Sequence, residues 1–316
     1  MATILVTGGA GYIGSGATQQ LLKEGHTVVI IDNLSKGKKE LVPEQARFYQ
    51  GDLTDKKLVE EIFNSNEIDA VMHFAAYKAV GESMRDAMKY SDNITGSLVL
   101  LNAMVKHSVK KIIFSSTAAV YGEGSDEPIT ETTPVDPKSY YGTTKHMVEE
   151  NIKWYGKIHG INHIILRYFN VAGDTGAGYV DPKAENIFPI ITEVLSGKRE
   201  ELVVFGNDYN THDGTGVRDY IDVNDLIDAH VKALDANESA VMNLGTERGY
   251  SVLDLVKTFE KVSGKNIPYR IGKRREGDPA LVVASYEKAK EVIGWKPKRS
   301  IEETVTSTLE TYSRSS

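Results

Sequence analysis

A tyrosine and a lysine four residues apart, Tyr141 and Lys145, are the residues of this sequence best spaced to move a proton. Residues separated by four share one face of an α-helix, so the phenol and the ammonium are expected to lie together. A free tyrosine has a pKa of about 10, but a neighbouring cation favours the phenolate. Thr117 ends a hydroxyl-rich stretch, residues 115–117, and could extend the pair into a proton relay. The pattern predicts general acid–base catalysis.

A glycine cluster near the N-terminus is typical of a phosphate-binding turn. Gly8, Gly11 and Gly14 are spaced as G-x-x-G-x-x-G between a strand candidate and a helix candidate. Glycine permits a tight turn and a close approach of backbone N–H groups to a pyrophosphate, which the helix N-terminus also favours. The second strand candidate ends at Asp32, whose carboxylate can bind a ribose 2′-hydroxyl and would repel a 2′-phosphate. These residues predict a dinucleotide site for NAD rather than NADP.

A parallel sheet is needed to bring these groups together. Strands are expected at residues 3–7, 27–32, 47–50, 69–73, 110–116 and 163–168, with helices after the glycine turn and at 55–64, 82–106 and 140–159. This alternation predicts an α/β fold, a doubly wound parallel Rossmann sheet with right-handed crossovers. Ligands bind at the carboxyl edge of such sheets, where the glycine turn, Asp32 and Thr117 all fall.

The sequence changes character after Asn170. Glycine, Asp, Asn and Pro crowd residues 173–186 and 206–216, and short helices are expected near 188–196, 224–236, 251–262 and 286–293. We expect residues 1–170 to form the NAD-binding Rossmann domain and residues 171–316 a smaller C-terminal substrate lobe. A segment near 219–234 is expected to return to the first sheet.

Composition narrows the possible functions. The 316 residues carry a formal net charge of −7, which argues against nucleic-acid and anionic-membrane partners. There is no cysteine, which excludes disulfides, thiolate metal sites and cysteine nucleophiles. His159 and His163 are spaced by four but lack an evident third ligand, so no metal is expected. No apolar stretch of about 18 residues is present. The default expectation is a cytoplasmic enzyme.

Longer segments resemble a known family. The matching stretches are LVTGGAGYIGS at 5–15, HFAAYKAVGES at 73–83, LRYFN at 166–170, FGNDY at 205–209, DGTGVRDY at 213–220 and RREGD at 274–278. Over nearly its whole length the sequence resembles the UDP-glucose (UDP-galactose) 4-epimerase family, within the extended short-chain dehydrogenases/reductases.

The resemblance implies epimerisation at C4 of a UDP-hexose. Tyr141 would take the proton of the 4-hydroxyl while hydride passes to NAD, giving a transient 4-keto sugar and NADH. The sugar would then turn over and take the hydride back on its other face. Lys145 would tune Tyr141 and hold the nicotinamide ribose, and Thr117 would bind the 4-oxygen. The resemblance also implies a homodimer packed through residues 82–106 and 140–159.

The family motifs carry over residue by residue. Besides Tyr141 and Lys145, the implied cofactor-binding residues are Gly8, Gly11, Tyr12, Ile13, Gly14, Asp32, Asn33, Leu34, Ser35, Lys36, Gly37, Asp52, Leu53, Phe74, Ala75, Ala76, Lys78, Asn93 and Phe169. The implied substrate-binding residues are Thr117, Asn170, Asn186, Ile187, Val203, Phe205, Arg218, Arg275, Asp278 and Val282. Among these, the arginines would clamp the diphosphate, because a guanidinium fork suits phosphate oxygens.

Three positions depart from, or discriminate within, the family pattern. Gly16 stands where a histidine is usual, and Tyr140 stands where a proline is usual, which bears on where the helix of Tyr141 begins. Val282 stands where family members carry either a tyrosine or a smaller residue. A small residue there would leave space beside the C2 substituent of the sugar, implying that UDP-GlcNAc and UDP-GalNAc are also accepted.

Two other functions are compatible with a dinucleotide fold. A nucleotide-sugar 4,6-dehydratase needs an acid and a base for water elimination, and its relatives place Asp-Glu after the threonine. Ala118 and Ala119 follow Thr117 here, which argues against that reaction. A non-catalytic NAD-binding sensor would usually lack the tyrosine and the lysine, which are both present. An assay on UDP-galactose distinguishes the three.

Overall fold

The predicted alternation of strands and helices is confirmed in the computed structural model, which describes residues 1–122, 127–180, 186–275 and 278–314. The strands are β1 Thr3–Thr7, β2 Thr27–Asp32, β3 Arg47–Gln50, β4 Ala70–His73, β5 Lys111–Thr117, β6 Asn162–Tyr168, β7 Asn170–Ala172, β8 Leu202–Phe205, β9 Val217–Asp222, β10 Ala240–Leu244, β11 Gly249–Ser251, β12 Tyr269–Gly272 and β13 Leu281–Val282. The helices are α1 Tyr12–Lys23, α2 Lys56–Ser65, α3 Val80–Ser83, α4 Ala87–Lys106, α5 Tyr140–His159, α6 Ile187–Leu195, α7 Val223–Lys232, α8 Val252–Ser263, α9 Glu287–Ile293 and α10 Ile301–Arg314.

Seven parallel strands in the order β3-β2-β1-β4-β5-β6-β10 form the central sheet of the described chain. Alternate residues of β1 enter different cores, Ile4 and Val6 on one face and Leu5 on the other. Because both faces are covered, the central strands are almost continuously apolar, as expected of a parallel sheet. Helices α1 and α7 pack together on the first face, and α4 lies between α2 and α5 on the second.

Local capping explains where the helices beside the site begin and end. Ser139 caps α5 by accepting a hydrogen bond from the Gly142 N–H at 3.1 Å, and Gly160 ends the helix with φ +68°. The prediction of one continuous helix over 82–106 is wrong at its start. Asp86 instead caps a new helix, α4, by accepting from the Lys89 N–H at 3.1 Å.

The second half of the chain builds smaller sheets and also completes the first one. Strand β9 pairs with β7, β11 and β13, and β8 pairs with β12. A separate apolar cluster fills this part, with Phe188, Phe259 and Ile191 at its centre. Strand β10, which the sequence pattern did not predict, extends the central sheet beside β6. Of the helices in the described residues, none combines the length and apolar content needed to span a bilayer.

Candidate active site

The glycine turn forms a tightly packed cradle between β1 and α1. Gly8 has φ +72°, and a Cβ added to it would lie 2.8 Å from the Ala75 backbone nitrogen. A Cβ at Gly14 would lie 2.2 Å from the Gly8 carbonyl oxygen. Gly11 is the N-cap of α1 and has no side chain to bond the first N–H groups of the helix, and no acidic residue lies in that turn. The turn therefore suits an anion.

Asp32 lies next to this cradle at the carboxyl end of β2. Its carboxylate accepts from the Ala10 N–H at 3.0 Å and from the Leu34 N–H at 2.8 Å. Burial raises the pKa of Asp32, and these two hydrogen bonds oppose that effect. A Cβ at Gly37 would lie 2.8 Å from both carboxylate oxygens, so glycine keeps that side of the carboxylate clear. Leu34 adopts φ +59° to make its bond.

Further residues predicted to bind the cofactor follow the carboxyl ends of β2, β3 and β4. Asn33 donates to Asp52 at 2.7 Å, and Ser35 N–H donates to Asn33 at 2.9 Å. Asn93 bonds both the N–H and the carbonyl of Tyr77, at 2.8 and 3.0 Å, which fixes the segment after β4. That segment contains the predicted channel residues Phe74, Ala75, Ala76 and Lys78. Burial acts to raise the pKa of Asp52, but hydrogen bonds from Thr54 and Asn33 outweigh it and lower that pKa.

Tyr12 and Ile13 have side chains that turn into the protein rather than into the cradle. The Tyr12 hydroxyl donates to the Gly173 carbonyl at 2.5 Å, and its ring lies 5.4 Å from the ring of Tyr179. Tyr179 in turn donates to the Lys36 carbonyl at 3.3 Å. Ile13 packs against the apolar core. These two positions offer the cradle their backbone N–H groups.

The candidate acid–base pair lies where α5 crosses the end of β5. Tyr141 is buried, and its backbone N–H donates to the Ser83 hydroxyl at 3.1 Å. Burial raises the pKa of Tyr141 to about 12, and the neighbouring Thr117 hydroxyl only partly opposes this rise. Thr117 also accepts from the Ala119 N–H at 3.2 Å, which orients its hydroxyl oxygen.

Lys145 lies on the same face of α5, one turn further along, as the spacing predicts. Its ammonium donates to the Ser115 carbonyl at 2.8 Å and lies 4.7 Å from the centre of the Phe114 ring. Burial lowers the pKa of Lys145 to about 7, although the charge of Glu149 acts in the opposite direction. The prediction that the ammonium of Lys145 and the positive charge of a nicotinamide together favour the phenolate of Tyr141 stays a prediction.

Sequence reasoning missed a buried ion pair beside the lysine. Glu149 accepts from the Arg167 guanidinium through both oxygens, at 2.9 and 2.5 Å, and also from the Ser116 hydroxyl. Both charged side chains are almost fully buried. A signal for Glu149 was present, since it follows Lys145 by four residues, just as Lys145 follows Tyr141.

Half of the predicted substrate-binding residues meet on the second half of the chain. Arg218 on β9 donates to Asp278 at 3.3 Å, and the Asp278 N–H bonds the Arg275 carbonyl at 3.3 Å. The Arg275 guanidinium lies 3.9 Å from the centre of the Phe205 ring, a cation–π contact that leaves the ring partly exposed. Val203 precedes Phe205 by two on β8 and so faces the same side.

The other substrate positions lie at separate points around this group. Asn170 donates to the Asp219 carbonyl at 3.2 Å, and Asn186 is the N-cap of α6, directly before Ile187. Val282 is the register partner of Arg218 and packs with the cluster that contains Phe169, Val120 and Tyr121. The structure thus links Val282 to both the arginine clamp and the predicted nicotinamide end of the channel.

The departures from the family pattern have local explanations. A Cβ at Gly16 would lie 2.5 Å from Ile227 Cδ1 and 2.6 Å from Thr175 Cγ2, so neighbouring side chains already occupy the space of a larger residue. Helix α5 begins at Tyr140 without the usual proline, because Ser139 supplies the cap.

Comparison with known proteins identifies the family of the chain. The model of the NAD dependent epimerase/dehydratase family matches residues 4–245. The chain belongs to this family, whose members use a dinucleotide to act on their substrates.

Individual relatives are similar along almost the whole chain. A UDP-glucose 4-epimerase of Lactobacillus helveticus is 48% identical over 304 residues, covering 93% of this chain and 92% of the relative. The structure of a UDP-glucose 4-epimerase from Bifidobacterium longum, solved in complex with NAD⁺ and UDP, is 41% identical, with a TM-score of 0.92 and coverage of 99% and 98%. The UDP-Glc/GlcNAc 4-epimerase of Campylobacter jejuni is 38% identical, with a TM-score of 0.89 and coverage of 99% and 100%.

Proposed function

We propose that the protein interconverts UDP-galactose and UDP-glucose by epimerisation at C4, with NAD as a resident cofactor. The observation that carries the proposal is the burial of Tyr141, Lys145 and Thr117 together where α5 meets the carboxyl end of β5, on the same edge as a glycine cradle and a buried Asp32. Relatives that align with almost the whole chain are named UDP-glucose 4-epimerase.

The residues of the cradle fit a dinucleotide. Added side chains at Gly8 or Gly14 would fill the turn, and the start of α1 offers N–H groups without a side-chain cap. These groups would hold the pyrophosphate, Asp32 the adenosine ribose and Lys145 the nicotinamide ribose. When bound, NAD supplies the acceptor and donor of hydride at C4, together with a positively charged ring.

The side chains at the end of β5 and on α5 manage the proton. Tyr141 would accept the proton of the sugar 4-hydroxyl and later return it, while Thr117 would hydrogen-bond the 4-oxygen. With its pKa raised to about 12, the phenol retains its proton until positive charge is brought beside it. Burial of the pair excludes water, which protects a keto intermediate from side reactions.

The UDP moiety would bind to the second half of the chain. Arg218 and Arg275 can bind the diphosphate through bidentate hydrogen bonds, and Asp278, which already pairs with Arg218, would accept from the ribose. The exposed face of Phe205 would stack on the uracil, and Val203 would contact its edge. In this arrangement the hexose carries few of the binding contacts and can turn over between the two hydride transfers.

The test is an assay on purified protein with UDP-galactose and no added NAD. The proposal predicts UDP-glucose as product with no net NADH. Tyr141→Phe is expected to lower turnover by about two to four orders of magnitude while the protein keeps its NAD, because only the proton-transfer group is lost. A 4-keto-6-deoxy product would indicate the dehydratase, and an inert protein that binds NAD would indicate the sensor.

We also propose that the substrate range includes UDP-GlcNAc and UDP-GalNAc. Val282 is small, is only partly buried and lies between Arg218 and the cluster of Phe169. A relative of similar fold is named a UDP-Glc/GlcNAc 4-epimerase. A larger side chain at Val282 would reduce the space beside the sugar ring.

A homodimer is the third part of the proposal. Met84 and Met88 on the α3–α4 side, together with Met147, Trp154 and Ile158 on α5, expose large apolar side chains. These two helices pack on each other, so the exposed side chains can form one patch. Sedimentation of the parent protein should give a dimer, and Trp154→Glu should dissociate it. The control is Val292→Glu on α9, which introduces the same charge at another exposed residue and should leave the dimer intact. A parent protein that sediments as a monomer would contradict the proposal.

We place the enzyme in the cytoplasm as part of the same proposal. The support is the absence of cysteine from all 316 residues, which suits a reducing compartment. Fractionation of the source cells, with the activity followed in each fraction, tests this location.

A further inference from the structure

One face of α5 meets the end of β5 at three successive points. Tyr141, Lys145 and Glu149 repeat at intervals of four residues, and this face lies against residues 115–117. The lysine donates to the carbonyl of the first of these three residues, the glutamate accepts from the hydroxyl of the middle one, and the hydroxyl of the last is close enough to the tyrosine phenol to lower its pKa. The glutamate is thus part of the same array as the acid–base pair. It lies about two helical turns from the tyrosine, too far to reach a substrate held there.

Glu149 is fully buried and paired with an arginine. Its side chain has no exposed surface, and the Arg167 guanidinium bonds both of its oxygens. Arginine is charged at all working pH values, and the bidentate geometry favours the ionised carboxylate. Arg167 is itself fixed by the ring of Tyr121, 4.9 Å away. Because buried ion pairs contribute little to net stability, such a pair beside a catalytic lysine calls for a functional account.

We propose that Glu149 is a positioning residue for the reaction, and that its buried charge keeps Lys145 protonated while Tyr141 exchanges a proton with the sugar. The proposal rests on the proposed function. Burial favours the neutral amine, and a carboxylate one helical turn away favours the ammonium. Without that carboxylate, the lysine would lose its proton in the working range and could no longer stabilise a phenolate.

The other charged and titratable groups around the lysine do not replace this effect. His73 is buried with its pKa lowered to about 3, so it is neutral. Tyr168 on β6 is partly buried, and desolvation raises its pKa, so it is neutral too. His146 lies 3.9 Å from Glu149 and is partly exposed. Arg167 carries a positive charge and therefore disfavours the ammonium form of Lys145. Of these described groups and Glu149, only the Glu149 carboxylate contributes negative charge.

The first test compares Glu149→Gln with Glu150→Gln. Both changes remove one carboxylate from α5, but Glu150 is half exposed and pairs with Lys153 at the surface. The alkaline limb of the turnover–pH profile, where Lys145 loses its proton, should move down by about one pH unit or more in the first variant and stay in place in the second. A uniform loss of rate with an unchanged limb would mean a structural role only, and would overturn the proposal.

A second readout does not depend on turnover. Only a neutral amine reacts with an acylating reagent, so competitive labelling of Lys145 across pH, read by mass spectrometry on the protein as purified, reports its protonation. The labelling midpoint should fall by the same amount in Glu149→Gln and remain unchanged in Glu150→Gln. If the parent proves to lack epimerase activity, the proposed function fails but this measurement still decides whether Glu149 holds the charge of Lys145.

The first variant leaves Arg167 buried without its partner, which could prevent folding. In that event the comparison is made in an Arg167→Met background, where the unpaired guanidinium is absent. The double variant Glu149→Gln/Arg167→Met should show a lower alkaline limb and a lower labelling midpoint than Arg167→Met alone. Equal values in that background would overturn the proposal.

Discussion

Protonation of a buried histidine, His230, should contribute strongly to how the stability of this fold depends on pH. His230 on α7 is fully buried, with Nδ1 at 2.9 Å from the Leu226 carbonyl and Nε2 at 2.9 Å from the Ser115 hydroxyl. A carbonyl only accepts, so Nδ1 carries the proton and Nε2 accepts from the serine. Burial lowers the pKa of His230 to about 4, although the Leu226 carbonyl opposes this. The folded protein therefore keeps this ring neutral where the unfolded chain protonates it.

The sign and size of the effect follow from the two pKa values. The ordinary pKa of His230 is 6.5, and its value in the folded protein is about 4. Its effect on the free energy of unfolding is therefore absent above pH 6.5, and the protein loses stability as the pH falls from 6.5 towards about 4. Each pKa unit corresponds to about 1.36 kcal/mol, so His230 accounts for a loss of about 2 kcal/mol between about pH 7.5 and about pH 5. Asp219, whose pKa burial raises to about 6, titrates in the same interval with the opposite sign, and His73, whose pKa burial lowers to about 3, adds a loss of the same sign as that of His230. The contribution of His230 is therefore measured as the difference between the parent and a His230 variant in their loss of stability on acidification.

Urea unfolding at both pH values, with NAD at a fixed concentration, gives that difference. His230→Gln should start less stable than the parent at the higher pH and should lose about 2 kcal/mol less on acidification. The matched control is His159→Gln, because His159 is exposed at the end of α5 and its replacement should leave the pH dependence unchanged. If the parent and His230→Gln lose equal stability within about 0.5 kcal/mol, the buried neutral ring is not the cause and the reasoning fails.

Three further substitutions test the site. Gly14→Ala places a Cβ 2.2 Å from the Gly8 carbonyl oxygen, so the variant should lose NAD, as measured by its cofactor content. The control is Gly81→Ala, which should retain NAD because its nearest contact would lie at 3.9 Å. Thr117→Val keeps the shape but removes the hydroxyl, so turnover should fall about ten- to one-hundred-fold with unchanged NAD content; parental turnover would exclude a role for this hydroxyl. Val282→Tyr should abolish activity on UDP-GalNAc and spare UDP-galactose, and equal loss of both would contradict the proposed pocket.

The strands of the first half could be predicted because their signal is local. Residues 3–7, 27–32 and 47–50 form β1, β2 and β3 with the expected bounds. Strand β10 could not be predicted in the same way. Its five residues join the central sheet beside β6 after the chain has passed through the second half, so their pairing depends on contacts far away in sequence. The break between α3 and α4 was missed because the Asp86 cap interrupts a stretch that otherwise reads as helical.

The residue types of the candidate site could be predicted from the sequence. The charge states of these residues and their hydrogen-bond partners could be predicted much less well. Spacing by four placed Tyr141 and Lys145 on one face of α5, as expected. It did not indicate that Lys145 would donate to the Ser115 carbonyl, or that burial would raise the pKa of Tyr141 to about 12. The roles assigned to these side chains remain predictions.

By itself, the order of apolar, glycine and hydroxyl residues determined the fold class and the edge of the sheet where the chemistry falls. These features follow from backbone sterics and from helix and strand periods, which act over a few residues. Only the tertiary structure decided which buried charges face each other. Glu149 on α5 contacts Arg167 on β6, and Ser115 on β5 contacts His230 on α7. The charge states of these groups depend on solvation and Coulomb interactions, which are set by distances in space and not in sequence.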